Sequence, residues 1–139
     1  MKQLFSLGAI LLFIGCSNSI SKEDLNLLNG YWEIEKVTFA NGDSKEFKVS
    51  TTIDYFEIKT SKGFRKKMQP KFDGSYATSN DAEPFSIIEK ESSYEFHYKN
   101  GLSEWTEKIT SLSQNNFSVI NKDTITYSYK RFQPITTTE

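Results

Sequence analysis

From Tyr31 to Phe132 the sequence is a succession of short runs in which apolar and polar residues partly alternate, cut by turn residues. The runs are Tyr31–Phe39, Thr52–Thr60, Phe64–Phe72, Pro84–Glu91, Tyr94–Lys99, Glu104–Leu112, Asn116–Asn121 and Thr124–Phe132. Each is rich in β-branched or aromatic side chains, which suit a pleated, half-buried surface. Between them stand Asn41-Gly42-Asp43, Ser61-Lys62-Gly63, Asp73-Gly74 with Ser79-Asn80-Asp81, Glu91-Ser92-Ser93, Asn100-Gly101, Ser113 to Asn115, and Asn121-Lys122-Asp123. Most of these breaks are short enough to join sequential antiparallel neighbours. The expected fold is therefore all-β, a meander of eight strands. Such a sheet removes its exposed edges by closing into an up-and-down antiparallel barrel; a two-sheet β-sandwich is the alternative.

The alternation slips in two places. Trp32 and Ile34 share one face of the first run, whereas Val37 and Phe39 fall on the other; Ile53 and Tyr55 likewise oppose Phe56 and Ile58. A β-bulge in each strand would restore a single inward face. The last run keeps its phase, with Ile125, Tyr127, Tyr129 and Arg131 on one side. Ahead of the strands, Ser21 and Asp24 have the spacing of a helix N-cap pair, and Leu25 and Leu28 share a face. The spacing predicts a helix of barely two turns ending at Asn29-Gly30, too short to persist without docking.

The N-terminus is of another kind. Lys2 precedes an almost unbroken apolar run from Leu4 to Ile14, of about the length of a signal-peptide core and shorter than the roughly 18 residues needed to span a bilayer. It ends in Phe13-Ile14-Gly15-Cys16, which resembles the lipobox of bacterial lipoproteins. That resemblance implies cleavage after Gly15 and acylation of Cys16. Cys16 is also the only cysteine, so no intrachain disulfide can form, and acylation accounts for a lone thiol in an exported chain. An ordinary signal peptide with an incidental cysteine is the alternative. Residues 1–15 are thus expected to be a signal peptide, 16–22 a lipidated tether, 23–133 the domain and 134–139 a flexible tail. Ser17, rather than Asp, after the cysteine resembles the pattern for transfer to the outer membrane, so a lipid-anchored envelope location is expected.

The two ends of the domain carry a second resemblance. A short helix followed by Gly30-Tyr31-Trp32 is similar to the G-x-W motif of lipocalins, and Arg131 in Tyr127-Ser128-Tyr129-Lys130-Arg131 stands where that family packs an arginine on the tryptophan. The resemblance covers about residues 23–133 and implies a lipocalin-like barrel in which Gly30, Trp32 and Arg131 form a structural clasp. Only two of the 17 basic residues are arginines, Arg65 and Arg131, and Arg stacks on an aromatic face better than Lys does.

Little in the sequence carries catalytic chemistry. His97 is the only histidine and alternates with Glu95 and Lys99, opposite Tyr94, Phe96 and Tyr98, so it is expected to face solvent. Without a second His or a Cys in the domain, zinc and Cys–His sites are excluded by inventory. No cofactor, metal or catalytic residue is expected. The formal charge of −1, which becomes −2 without Lys2, argues against nucleic acid as a partner. The basic run Lys62, Arg65, Lys66, Lys67 and Lys71 reads as a solvated strand or as attraction for an anionic group.

Inward spacing makes Tyr55, Phe64, Lys66, Met68, Phe96, Trp105, Tyr127 and Tyr129 the candidate lining of a ligand cavity, with Lys66 available to a carboxylate head. The expected function is non-enzymatic binding of a small, largely apolar ligand by a membrane-anchored barrel. A filled barrel acting through protein–protein contacts is the alternative.

Overall fold

The computed structural model describes residues 19–134. Cys16, the residues before it and the tail beyond Pro134 lie outside the described residues, so the signal-peptide, acylation and tail expectations are not addressed by it. A six-residue 3₁₀ helix, Glu23–Leu28, leads into nine strands: β1 Gly30–Thr38, β2 Ser44–Glu46, β3 Ile53–Lys59, β4 Lys62–Pro70, β5 Tyr76–Lys90, β6 Ser93–Asn100, β7 Ser103–Leu112, β8 Asn116–Asn121 and β9 Thr126–Arg131. All pair antiparallel with their sequential neighbours from β3 onward, β1 pairs with β3, and β1 also pairs with β9. The sheet is therefore a closed eight-stranded barrel, with β2 added outside the count along β1. The sandwich alternative falls.

Closure puts Trp32 directly opposite Arg131. The β1–β9 register shifts between Ile34 and Lys36, and this bulge returns Val37 to the inner face. The expected second bulge is absent, for β3 pairs with β4 without interruption from Ile53 to Lys59. There the apolar residues of both phases are used. Phe56 and Ile58 enter the core, while Ile53 and Tyr55 lie on the outer face and are still covered.

β2 was not expected; its three residues are all exposed and polar, so no apolar pattern announces it. β5 starts eight residues earlier than Pro84. Ser79-Asn80-Asp81 is not a break but part of an irregular stretch in which Met68 pairs with Thr78 and Lys66 with Ala82. Polar residues fit there because a bulge leaves them out of the ladder. Pro84 is tolerated because β6 begins to pair with β5 only at Phe85, so no neighbour seeks the missing N–H.

The helical segment forms as a 3₁₀ turn. Ser21 N–H donates to Asp24 Oδ2 at 2.8 Å and Asp24 N–H to Ser21 Oγ at 3.2 Å, a reciprocal cap at its entrance. Leu25 and Leu28 dock under the barrel and are buried against Trp32, Phe56 and Phe117. That end of the barrel is the base.

At the base, the Arg131 guanidinium lies 3.7 Å from the Trp32 ring centroid. It donates to the carbonyl oxygens of Leu27 (2.8 Å), Asn29 (2.7 Å) and Gln114 (2.8 and 3.1 Å). Trp32 Nε1–H donates to the Leu28 carbonyl at 2.9 Å. The bonds to Leu27, Leu28 and Asn29 satisfy carbonyls that the end of a helix leaves without partners, and those to Gln114 tie in the β7–β8 turn. Gly30 is required twice over: its φ is +118°, and an added Cβ would stand 2.9 Å from Arg131 Nη1.

Candidate functional site

Above the base, the lower barrel is filled. Trp32, Phe56, Phe85, Phe96 and Phe117 are each at most 4% exposed and pack edge to face, with Phe85 and Phe96 4.8 Å apart. The opposite end, where β6 turns into β7 and β8 into β9, holds an open cavity of about 580 Å³. Trp105, Tyr127, Tyr129 and Ile34 form its wall; Asp54, Arg65 and Glu107 are its ionisable floor.

Three of the expected lining residues, Trp105, Tyr127 and Tyr129, are in place. Phe96 is not: at 0% exposed it belongs to the packed core below the cavity. Tyr55, Phe64, Lys66 and Met68 lie on the outer face of the barrel, because β4 turns Gly63, Arg65 and Lys67 inward instead. The pattern of Phe64 and Met68 was misleading, since the outer face here has an aromatic cover of its own. Tyr31 stacks on Tyr76 at 4.8 Å and meets Tyr55 at a tilt at 4.9 Å, Tyr55 meets Phe64 at 6.1 Å, and Phe132 packs on Tyr76. Beside this cover runs a second, outer groove of about 330 Å³ lined by Pro70, Tyr76, Phe132 and Pro134, with Phe72 and Val49 largely exposed on it.

The inward charges are the part of the site that apolar periodicity did not reveal. Arg65 donates from Nε to Glu83 at 2.7 Å and pairs with the same carboxylate through Nη2 at 2.6 Å. Its plane lies 4.7 Å from the Tyr98 ring centroid. Glu107 stands farther off, 3.6 Å from Nη1. Lys67 Nζ reaches in from the rim to Asp54 at 3.0 Å. The scarcity of arginine was the available signal: in a Lys-rich chain, both arginines occupy inward positions on aromatic rings.

Burial works against the charge on Arg65, but Tyr98, Tyr129, Glu107 and Asp54 around it outweigh that and raise its pKa. Glu107 is pushed up by burial, with Arg65 and the Trp105 side chain acting in the opposite sense. Tyr98 and Tyr129 are raised well above the ordinary phenol value by burial, so both remain neutral hydroxyls. Tyr98 Oη is buried without a hydrogen-bond partner.

His97 does not enter this site; it lies on the outer face against Glu95 at 3.0 Å. Among the described residues, no group of three or more His, Cys, Asp or Glu side chains is arranged to hold a metal ion.

A family model described as a lipocalin-like domain matches residues 28–119, which takes in Gly30 to Trp32 but stops short of Arg131. Among solved structures, the chain is similar to a lipocalin-like protein from Bacteroides uniformis at 13% identity and a TM-score of 0.48, over 76% of this chain and 99% of that one. An uncharacterized protein from Bacteroides eggerthii matches at 11% identity, a TM-score of 0.48 and the same coverage. Lobster apocrustacyanin A1 matches at 11% identity and a TM-score of 0.48, over 86% of this chain and 73% of that one. No curated protein matches the sequence.

Proposed function

Because the chain belongs to the lipocalin-like domain family, we propose that it is a lipid-anchored binding protein of the bacterial cell envelope that holds a small molecule in the barrel mouth without a covalent step. The observation that carries the binding half is the cavity itself. It offers about 580 Å³ above a packed core, within the range of small-molecule pockets, which begin near about 300 Å³. Its lining shifts the expected ligand from largely apolar to amphipathic, with a flat body for Trp105 and Tyr127 and a polar end for the ionisable floor.

The anchoring half rests on Phe13-Ile14-Gly15-Cys16. Two or more acyl chains hold a protein to a bilayer stably where one does so only marginally. Ser17 favours the outer membrane as the destination. Replacing Cys16 with Ala should release the protein from membranes and abolish labelling by a clickable fatty acid; persistent labelling would refute the anchor. Native mass spectrometry of the protein purified from its own cells should show a co-purified small molecule, lost when Trp105 is replaced by Ala. A bare polypeptide mass at every stage of purification would refute the binding half.

A partner-binding role is the second reading, supported by the outer groove and its exposed Phe72 and Val49. Under that reading, Phe72→Ser would abolish co-purification of a partner and leave the small-molecule mass unchanged.

A further inference from the structure

Among the described residues, Phe39, Val49, Phe72, Ile88 and Leu102 are the large apolar side chains that stand exposed. Val49 and Phe72, 85% and 102% exposed, share one surface, the outer groove lined by Pro70, Tyr76, Phe132 and Pro134. Each of these two apolar points follows a lysine, Lys48 before Val49 and Lys71 before Phe72, and both lysines line the groove as well. Neither lysine takes part in an ion pair among the described residues. The acids close by are engaged elsewhere. Glu33 meets Lys130 at 3.5 Å, and Asp73 Oδ1 accepts from the Ser75 N–H at 2.9 Å and the Ser75 hydroxyl at 2.6 Å.

The place where the chain enters the barrel bears on what meets this groove. Ser17 and Asn18 alone separate Cys16 from Ser19, so Ser19 lies within about 10 Å of an acylated Cys16 even in a fully extended chain. The entry is pinned, because Ile20 packs against the core and Ser21 and Asp24 cap the 3₁₀ turn. Ser19 and Ile20 line a depression together with Ser113 and Asn116 at the β7–β8 turn. In the same turn the Asn115 carbonyl accepts from the Arg131 N–H at 2.8 Å, and the next residue, Phe132, lines the groove. The groove therefore reaches the end of the barrel that an acyl anchor would hold at the bilayer.

We propose that this groove is the membrane-facing side of the protein: the anchored barrel lies against its own bilayer, with Val49 and Phe72 in the interface and Lys48 and Lys71 on anionic headgroups. This rests on the lipid-anchored reading and adds the face that meets the lipid. Apolar points framed by cations suit that boundary, since an ammonium reaches the headgroups while its stem lies on apolar surface. Tyr76 adds an aromatic ring with a polar tip, which the same layer accommodates. A short tether keeps this face at high effective concentration over lipid, so a weak contact is enough. A soluble protein partner would have to enter between the groove and the bilayer.

The test uses the full acylated chain in vesicles of equal parts phosphatidylethanolamine and phosphatidylglycerol, with a nitroxide spin label on Val49→Cys, Phe72→Cys, Ile88→Cys or Leu102→Cys, one at a time. Relative to a water-soluble nickel chelate, oxygen should reach the labels at 49 and 72 at least about threefold better than those at 88 and 102. Lys48→Glu with Lys71→Glu should bring the labels at 49 and 72 back to the aqueous pattern, and no change would overturn the headgroup contact. If all four labels report water while mass spectrometry shows the acyl chains, the docking face is wrong and the anchor stands. Labels at 49 and 72 shielded from oxygen and nickel alike would mean that a protein covers the groove, and a label at 102 in lipid would mean that the mouth faces the bilayer; either result overturns the proposal. A mass without acyl chains removes the anchor, and this docking face falls with it.

Discussion

The two arginines of this chain sit at opposite ends of one barrel, each over an aromatic ring, and they are satisfied in opposite ways. Arg131 lies on Trp32 and donates only to backbone carbonyls, those of Leu27, Asn29 and Gln114. Arg65 lies on Tyr98 and is held by carboxylates. Their pKa shifts differ in sign for that reason. Desolvation lowers Arg131, which has no acid to oppose it, whereas the ionisable groups around Arg65 overcome desolvation and raise it. Neutral acceptors at the base close the barrel, and the Arg131 charge is offset there only by carbonyl dipoles and the Trp32 ring. At the mouth Arg65 and Lys67 meet Glu83, Glu107 and Asp54, so acids answer the cations there.

The sharpest way to break this comparison is Arg65→Met. Removing one partner of a buried ion cluster leaves Glu83 and Glu107 unpaired, a loss of about 3–5 kcal/mol at neutral pH by urea denaturation. The loss should shrink on acidification. A buried, unpaired carboxyl has a folded pKa above its unfolded one, so its favourable contribution is complete below the unfolded value and disappears as pH rises through the folded value. A loss that is flat from pH 4 to 8 would mean that Arg65 acts through packing alone.

Arg131→Lys is the counterpart. An ammonium cannot reach three separate carbonyls or stack as a guanidinium does, so about 2 kcal/mol should be lost, with no change between pH 5 and 8 because carbonyls do not titrate there. Gly30→Ala presses on the same clasp from the backbone side. Its positive φ and the 2.9 Å approach to Arg131 Nη1 predict a loss of about 1–2 kcal/mol in the same denaturation assay.

The smallest effect should have the opposite sign. Burial raises the Glu107 pKa, so its ionisation costs stability as pH rises above the ordinary carboxylate value of 4.5. Glu107→Gln should therefore raise the melting midpoint at neutral pH and flatten its fall between acid and neutral conditions. A lower midpoint at neutral pH would show that the distant Arg65 contact outweighs burial.

Much of the barrel was legible because turn residues and aromatic runs are local signals. The eight main strands, the inward phase of Tyr94-Phe96-Tyr98 and of Tyr127-Tyr129-Arg131, and the phase slip before Val37 can all be read from spacing. β2 could not be read, since Ser44-Lys45-Glu46 is polar throughout and is held only by pairing with Lys36 to Thr38. The long β5 was obscured because Ser79-Asn80-Asp81 has turn chemistry and lies at an irregularity rather than at an end. At the mouth, aromatic periodicity points to Trp105, Tyr127 and Tyr129, which line the cavity. It failed on β4, where Phe64 and Met68 sit on the outer face with Tyr55 while Arg65 points in.

Residue order by itself was enough to mark an antiparallel meander of eight main strands, because alternation and turns are set by neighbours along the chain; closure, which brings Trp32 and Arg131 together, was implied by the lipocalin resemblance and decided by the β1–β9 pairing. Which face of β4 became the interior was decided only in three dimensions. A strand with apolar residues on one side and cations on the other can bury either side. The choice fell to what each side meets: Glu83 on the adjacent strand, with Glu107 and Tyr98, for Arg65 inside, and Tyr55 for Phe64 outside.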